Sequence, residues 1–442
     1  MGEAGRRYGD ERYSRQIRFA PIGHAGQRRL GESAVLIVGA GALGASLAQH
    51  LTRAGVGEIR LADRDYVEPS NLQRQMLFDE SDAEAALPKA AAAAAKLRRI
   101  NGEVSVVPYV TDVNSRTVGP LIDGADLVLD GTDNAATRLL LSDECFRRGI
   151  PLLYGGVTGS AGMCATLLPG RTACLRCLIG GEEAEEGETC DTAGVISPAV
   201  DLVASLQAAE ALKLLTGNED ALRNTWISAD LWPFRLRESQ LPAGNGRCPH
   251  CSPGRGAERG QRLEAERRSA TTAAAPVPGG PANAGHAEGE GRSASDAQAR
   301  RPGSGAAAAG YAAGTVPMRQ SGGAAASAGY APERAFGRTN GSGAPAPLQA
   351  VTLCGRDTVQ LTLAAPLPLE AARTELERKG CRLTANPYLL RAELPVGQRL
   401  VLFPDGRVLV QGTTDAGEAA ALCGAYLDLD KIFAGTPAEP CG

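Results

Sequence analysis

Four of the eleven cysteines in this 442-residue chain stand as two C-x-x-C pairs, Cys174-Leu-Arg-Cys177 and Cys248-Pro-His-Cys251. Together they supply four thiolates, the donor set of a closed tetrahedral Zn²⁺ site. Four sulfurs leave no open coordination position, so such a metal is structural, and His250 inside the second knuckle reads as a bystander. A dithiol redox couple would use one pair and leave the other without a task. A second group is cationic. Arg74 closes the run DRDYVEPSNLQRQ (63–75), Lys89 follows it, and Asn71 within it offers an amide donor. A triphosphate carries about four negative charges, more than neutral backbone N–H groups can offset, so cations within reach are what it needs.

The phosphates would sit on a glycine turn. Val35–Val38 are apolar and β-prone, and they run into Gly39-x-Gly41-x-x-Gly44 and a helical pattern. Such glycines let the backbone approach a pyrophosphate at a helix N-terminus. Asp63, about twenty residues beyond the turn, stands where an acid grips ribose hydroxyls. NAD and ATP both carry that ribose, so the glycines and Asp63 do not separate them; Arg74 and Lys89 favour ATP. The run GTDN (131–134) follows the strand-like DLVLD, and Asp133 is placed for Mg²⁺, a hard cation that takes oxygen ligands. Its alternative is the N-cap of the next helix. Ser70 and Asn134, beside these residues, join the expected nucleotide-binding set.

The elements that must position these groups alternate strand and helix up to about residue 240. The pattern implies an α/β fold: a Rossmann-like, mostly parallel sheet covered by helices. PLLYGGVTG and AGMCATLLP read as an antiparallel continuation. An amphipathic helix, PAVDLVASLQAAEALKLL, then precedes two short strands near Trp226 and Phe234. Residues 252–345 are almost all Ala, Gly, Ser, Pro, Arg and Glu, which predicts a disordered linker. Residues 346–432 read as a small α+β domain, with a helix over 368–379, a hairpin turning at Asp405-Gly406 and a helix near 416–426. Its polar residues are expected to form a solvated face. The net charge of −4 gives no footprint for nucleic acid or an anionic membrane. The charged N-terminus lacks a signal-peptide centre, and the expected location is a reducing cytoplasm.

These pieces, in order over residues 8–251, resemble the ThiF/MoeB/HesA family: RYSRQI, GAGALG, DRDYVEPSNLQRQ, Lys89, GTDN, both C-x-x-C pairs and TCDTAGVISP. One departure is Ala42, where many relatives carry glycine. The resemblance implies ATP-dependent adenylation of the C-terminal Gly-Gly carboxylate of a ubiquitin-fold sulfur carrier protein. It places Gly41, Asp63, Asn71, Arg74 and Lys89 on ATP and Asp133 on Mg²⁺. It makes Arg15 a finger reaching the triphosphate of the other subunit of a homodimer. It also marks Cys190 as a nucleophile or persulfide partner, although the run of glutamates at 182–188 would raise its thiol pKa. The tail shows no cysteine in a Gly/Arg-rich loop before a helix, and Cys354 reads as the start of a strand. Sulfur is therefore expected from a separate cysteine desulfurase or rhodanese-type donor.

The family reading leans toward the carrier of thiamin (thiazole) biosynthesis; the alternative is the small subunit of molybdopterin synthase. Every matched residue precedes 252, so the tail is expected to be dispensable for adenylation. Two readings of another class compete. An NAD-dependent dehydrogenase leaves Arg74, Lys89 and four paired cysteines without a task. A non-catalytic zinc-stapled scaffold leaves the ATP-type residues unused.

Overall fold

The computed structural model describes residues 9–180, 193–251, 349–353 and 357–434. Cys190, Cys354 and residues 252–348 lie outside the described residues. The first sheet is built from β1 (Ala34–Val38), β2 (Glu58–Asp63), β3 (Ser105–Val110), β4 (Leu127–Asp130), β5 (Leu152–Thr158), β6 (Ala161–Leu167), β7 (Thr225–Asp230) and β8 (Arg235–Gln240). Their spatial order is β3-β2-β1-β4-β5-β6-β7-β8.

The first five strands run parallel, with Val35 of β1 in register with Ile59 on one side and Leu127 on the other. A strand buried on both faces reads as a continuous apolar run, and this is why AVLIV carries no alternation. Val35 and Ile37 face the helices Ala42–Ala54, Lys89–Ile100 and Ser197–Thr216. Leu36 and Val38 face Val118–Ile122 and Ala135–Arg148. From β5 onward the pairing is antiparallel; β5–β6 and β7–β8 are joined by short connections, whereas the stretch between β6 and β7 carries the helices Leu175–Ile179 and Ser197–Thr216. All six residues of β8, at the sheet's edge, are exposed.

The helix Ser197–Thr216 differs from the amphipathic element expected. Only Pro198, Ser205 and Ala209 along it are exposed. The reason is its place between β5 and β6 on one side and the helices Ala42–Ala54 and Gly23–Glu32 on the other. A helix enclosed in this way is apolar around most of its circumference. None of the described helices is long and apolar enough to cross a membrane.

The second sheet is wholly antiparallel. It comprises β9 (Gln349–Leu353), β10 (Thr358–Thr362), β11 (Arg382–Asn386), β12 (Leu389–Glu393), β13 (Arg399–Leu402) and β14 (Arg407–Gln411), in the order β11-β12-β13-β14-β10-β9. Gly406 turns the β13–β14 hairpin at φ +90°, where a side chain is disfavoured. One face packs under Leu369–Arg378, Ala416–Tyr426 and Leu429–Ala434 around Leu361, Leu376, Leu400 and Val410. The other presents Leu389, Val401, Phe403 and Leu409 to Tyr66 and Ala86 of the first part of the chain. Both sheets belong to one compact unit. The polar residues of this module do not all form a solvated face: Arg407 is buried, and Asn386, Arg391, Arg407 and Gln411 all bond to the first part of the chain.

Candidate active site

Three glycines make the turn after β1. Gly39 adopts φ +88°, and a Cβ there would stand 2.6 Å from the Gly131 carbonyl oxygen. A Cβ on Gly44 would lie 1.7 Å from the Gly39 carbonyl oxygen. Gly41 differs: its nearest neighbour would be Gln75 Nε2, at an ordinary 3.7 Å. So Gly39 and Gly44 are required by the chain itself, whereas the space at Gly41 lies open in front of the helix. Gly41 caps that helix without a side-chain bond, and its first-turn N–H groups face outward. A helix terminus of this kind offers its N–H groups to an anion.

Asp63 ends β2 beside the turn. Its Oδ2 accepts the Ala40 N–H at 2.6 Å and its Oδ1 the Asp65 N–H at 2.7 Å. Burial pushes the Asp63 carboxyl up, and the Lys89 ammonium offsets part of that. Lys89 is buried; its Nζ lies 3.2 Å from Asp65 Oδ2 and its N–H donates to the Asp65 carbonyl. A buried, paired lysine at the first residue of a helix is no surface charge.

Asn71 is buried as well. Its Oδ1 accepts the Glu68 N–H at 3.1 Å, half of a reciprocal cap with the Glu68 side chain over the turn Pro69–Asn71. Ser70 is exposed, and its carbonyl accepts from Arg74 Nη1 at 3.0 Å. Arg74 has no carboxylate partner among the described residues. Two neighbours have no signal in the sequence: Gln75, whose buried Oε1 has no partner among the described residues, and Gly131, which walls the glycine turn. A glutamine shows no periodicity, and Gly131 shows only as one letter of GTDN.

The β4 end completes the edge. Asp130 is buried, with Oδ1 accepting the Thr132 N–H at 2.9 Å and Oδ2 lying 3.4 Å from Arg138 Nε. Burial raises the Asp130 carboxyl, against the pull of Arg138. The helix Ala135–Arg148 is capped by Asn134, whose side chain accepts the Thr137 N–H at 2.9 Å. Asn134 therefore takes the capping role, and Asp133 stands exposed without a bonded partner among the described residues.

Arg15 is not brought to this cluster. Its helix, Gly9–Ile17, packs on the far ends of the helices that start at the site: Arg12 bonds the Ile100 carbonyl, Tyr13 accepts from Asn101, and Gln16 bonds the Ala54 carbonyl. A helix of 13 residues is roughly 20 Å long, so exposed Arg15 lies at the opposite end of the sheet from its own glycine turn.

The cysteines converge. The sulfurs of Cys174, Cys177, Cys248 and Cys251 all lie within 4.8 Å of one another, with Cys174–Cys248 at 3.8 Å and Cys177–Cys251 at 3.7 Å. They could hold one metal ion. His250 turns away, its Nδ1 3.1 Å from Asp143, which also accepts from Arg176.

A glycine turn, an acid at the end of β2, a buried lysine and an arginine with no carboxylate partner among the described residues line the carboxyl edge of the parallel sheet, where α/β folds bind nucleotides. The ThiF family profile matches residues 13–250. The chain is 36% identical over 416 residues to the sulfur carrier protein ThiS adenylyltransferase of Bacillus subtilis (strain 168), covering 93% of this chain and 97% of that protein. The SAMP-activating enzyme E1 of Haloferax volcanii is 40% identical over 247 residues, 55% of this chain and 89% of its own. The molybdopterin-synthase adenylyltransferase of Escherichia coli (strain K12) is 39% identical over 244 residues, 54% of this chain and 95% of its own. The chain belongs to the ThiF family, and it is an adenylyltransferase.

Proposed function

We propose that the protein adenylates the C-terminal Gly-Gly carboxylate of a ubiquitin-fold sulfur carrier of the thiazole branch of thiamin biosynthesis. The observation that supports this choice is the match to the Bacillus ThiS adenylyltransferase, which spans 93% of the chain; the matches to the Escherichia coli molybdopterin-synthase and ThiS adenylyltransferases span 54% and 47%.

In this reading ATP lies with its ribose at Asp63 and its phosphates over Gly41, among Asn71, Arg74 and Lys89. The carrier carboxylate is already ionised at neutral pH, so no general base is required. Its oxygen attacks the α-phosphorus, the bond to the bridging oxygen breaks, and pyrophosphate leaves with the electron pair. Arg74 and Lys89 offset the charge on the departing group, and the rate gain comes from positioning and electrostatics. Asp133, an exposed carboxylate beside that edge, fits as a ligand of Mg²⁺, which when bound would supply positive charge against the triphosphate. Arg15, remote from its own site, is suited to reach the site of a second copy in a homodimer.

The four-cysteine cluster fits Zn²⁺, because a tetrahedron with bonds of about 2.3 Å has edges of about 3.8 Å. There it would tie the β6–helix connection to the segment after β8. Cys190 would act, with a separate sulfur donor, in the later sulfur-transfer half. The test is ATP–pyrophosphate exchange with each carrier in turn. Exchange with the thiazole-type carrier at least about tenfold above the molybdopterin-type carrier supports the assignment; the reverse order transfers it to the molybdopterin route.

A further inference from the structure

The loop from Asp63 to Gln75 has two sides. One offers Asn71 and Arg74; the other is covered by the second sheet. Tyr66, 3% exposed, packs with Ala86, Leu389, Val401, Phe403 and Leu409. Its hydroxyl lies 3.0 Å from Gln411 Oε1 and 3.2 Å from Glu68 Oε1, and Gln411 Nε2 donates to the same Glu68 oxygen at 3.3 Å. Glu68 is the residue that caps the Pro69–Asn71 turn. Arg407, stacked 4.3 Å over the Phe403 ring, donates to the Arg64 carbonyl at 3.3 Å.

A second set of contacts reaches the segment leading into Lys89. Asn386 Nδ2 donates to the Ala85 and Ala86 carbonyls at 2.9 and 3.0 Å. Arg391 reaches the Ala83 and Glu84 carbonyls at 3.4 and 3.3 Å, closing the end of the helix Glu80–Glu84. Ala86 is fully buried at φ +48°, a conformation an alanine keeps only where its surroundings enforce it. Pro88, one residue before Lys89, pairs across to Tyr66. Both segments that carry the cations are thus anchored from outside by residues about three hundred positions later in the chain.

We propose that the second sheet is a brace for the nucleotide loop, with Asn386, Arg407 and Gln411 as positioning residues that set the affinity for ATP. The inference rests on reading this loop as the ATP site, and it gives the tail a part in adenylation that its sequence does not suggest. The bonds are to backbone carbonyls and to a capping carboxylate. Losing them frees the loop's shape without removing any group from the nucleotide.

The test uses full-length protein carrying Asn386→Ala with Gln411→Ala, and Gln411→Ala alone as the milder variant. Arg382→Ala, an 89% exposed side chain paired with Glu393 at the opposite end of β11 from Asn386, is the control. Binding of a non-hydrolysable ATP analogue is measured by calorimetry, and hydrogen exchange is followed across 63–89. The brace predicts Kd for the analogue raised at least about fivefold and exchange of 63–75 and 83–89 accelerated about tenfold, with exchange of β1 and β4 unchanged. The KM for ATP should rise while kcat at saturating ATP stays within about twofold. Kd and loop exchange equal to the parent's, even with a lowered Tm, would overturn the proposal. If the parent itself binds no ATP analogue, the nucleotide reading fails, and the exchange experiment still decides whether the sheet holds the loop.

Discussion

Lys89 Nζ and Asp65 Oδ2 lie 3.2 Å apart, and the same two residues are joined again through their backbones. The lysine proposed to face the phosphates therefore also ties the helix Lys89–Ile100 to the start of the 63–75 loop. Arg74 has no such second duty. Substituting the two should separate chemistry from stability. Arg74→Ala should keep the parent's Tm and lose carrier-dependent pyrophosphate exchange by roughly a hundredfold, about 3 kcal/mol of transition-state stabilisation. Lys89→Ala should lose exchange and also about 2 kcal/mol of folding stability, since it removes a buried ammonium 3.2 Å from the half-buried Asp65 carboxylate. Denaturant melts beside the exchange assay would show it; full exchange in Arg74→Ala would remove that residue from the phosphate site.

The glycines make a second contrast. Gly44→Ala drives a methyl group into the Gly39 carbonyl, which is backbone and cannot swing aside. It should cost at least about 3 kcal/mol or abolish soluble expression. Gly41→Ala meets nothing closer than 3.7 Å within the chain. It should fold normally and bind ATP at least about tenfold more weakly, because its methyl group would occupy space meant for a phosphate. Normal ATP affinity in a well-folded Gly41→Ala protein would mean that the turn does not hold phosphates.

How much of this was legible beforehand depends on the distance over which each residue acts. The β1 turn, the zinc-type knuckles and the Arg74/Lys89 pair declare themselves in short runs, because their constraint is local. Asn134 against Asp133 is a one-residue choice between two good caps, and sequence preference hardly separates them. The strand Arg382–Asn386 is an edge strand with polar residues, so its pattern is weak in the sequence. Gln411 bonding Glu68 has no local signature at all: the partners are 343 positions apart. Arg15 is legible as a motif residue, yet only the packing of its helix shows that its own site is out of reach.

That separation gives a mixing experiment. If Arg15 serves a second copy, Arg15→Ala and Lys89→Ala proteins should each be inactive alone. Mixed under exchange of subunits, they should recover up to about a quarter of parental activity, because half the dimers are mixed and each holds one intact site. No recovery, with subunit exchange shown independently, would place Arg15 outside the catalytic assembly.

The cysteine cluster predicts one tightly held Zn²⁺ per chain by elemental analysis. Cys251→Ala, at a buried ligand, should yield metal-free protein with a sharply lowered Tm, since metal binding at such a site is folding free energy. His250→Ala should keep its metal, because that ring pairs with Asp143 instead. A metal-free parent with an undiminished Tm would refute the assignment.

The exposed strand β8 has a consequence for how the protein behaves at high concentration. No strand among the described residues pairs with its outer rim, and Trp232, Phe234 and Leu236 stand 83%, 77% and 66% exposed around it. Such a rim invites another extended chain to stack on, and runaway stacking is how sheets precipitate. Arg235, Arg237 and Glu238 lie along the same six residues. Two copies meeting rim to rim in parallel register would place like charges side by side, which is penalised, whereas the antiparallel meeting sets Arg237 opposite Glu238. The charges on the rim therefore select the direction in which another strand can be added and do not close the rim.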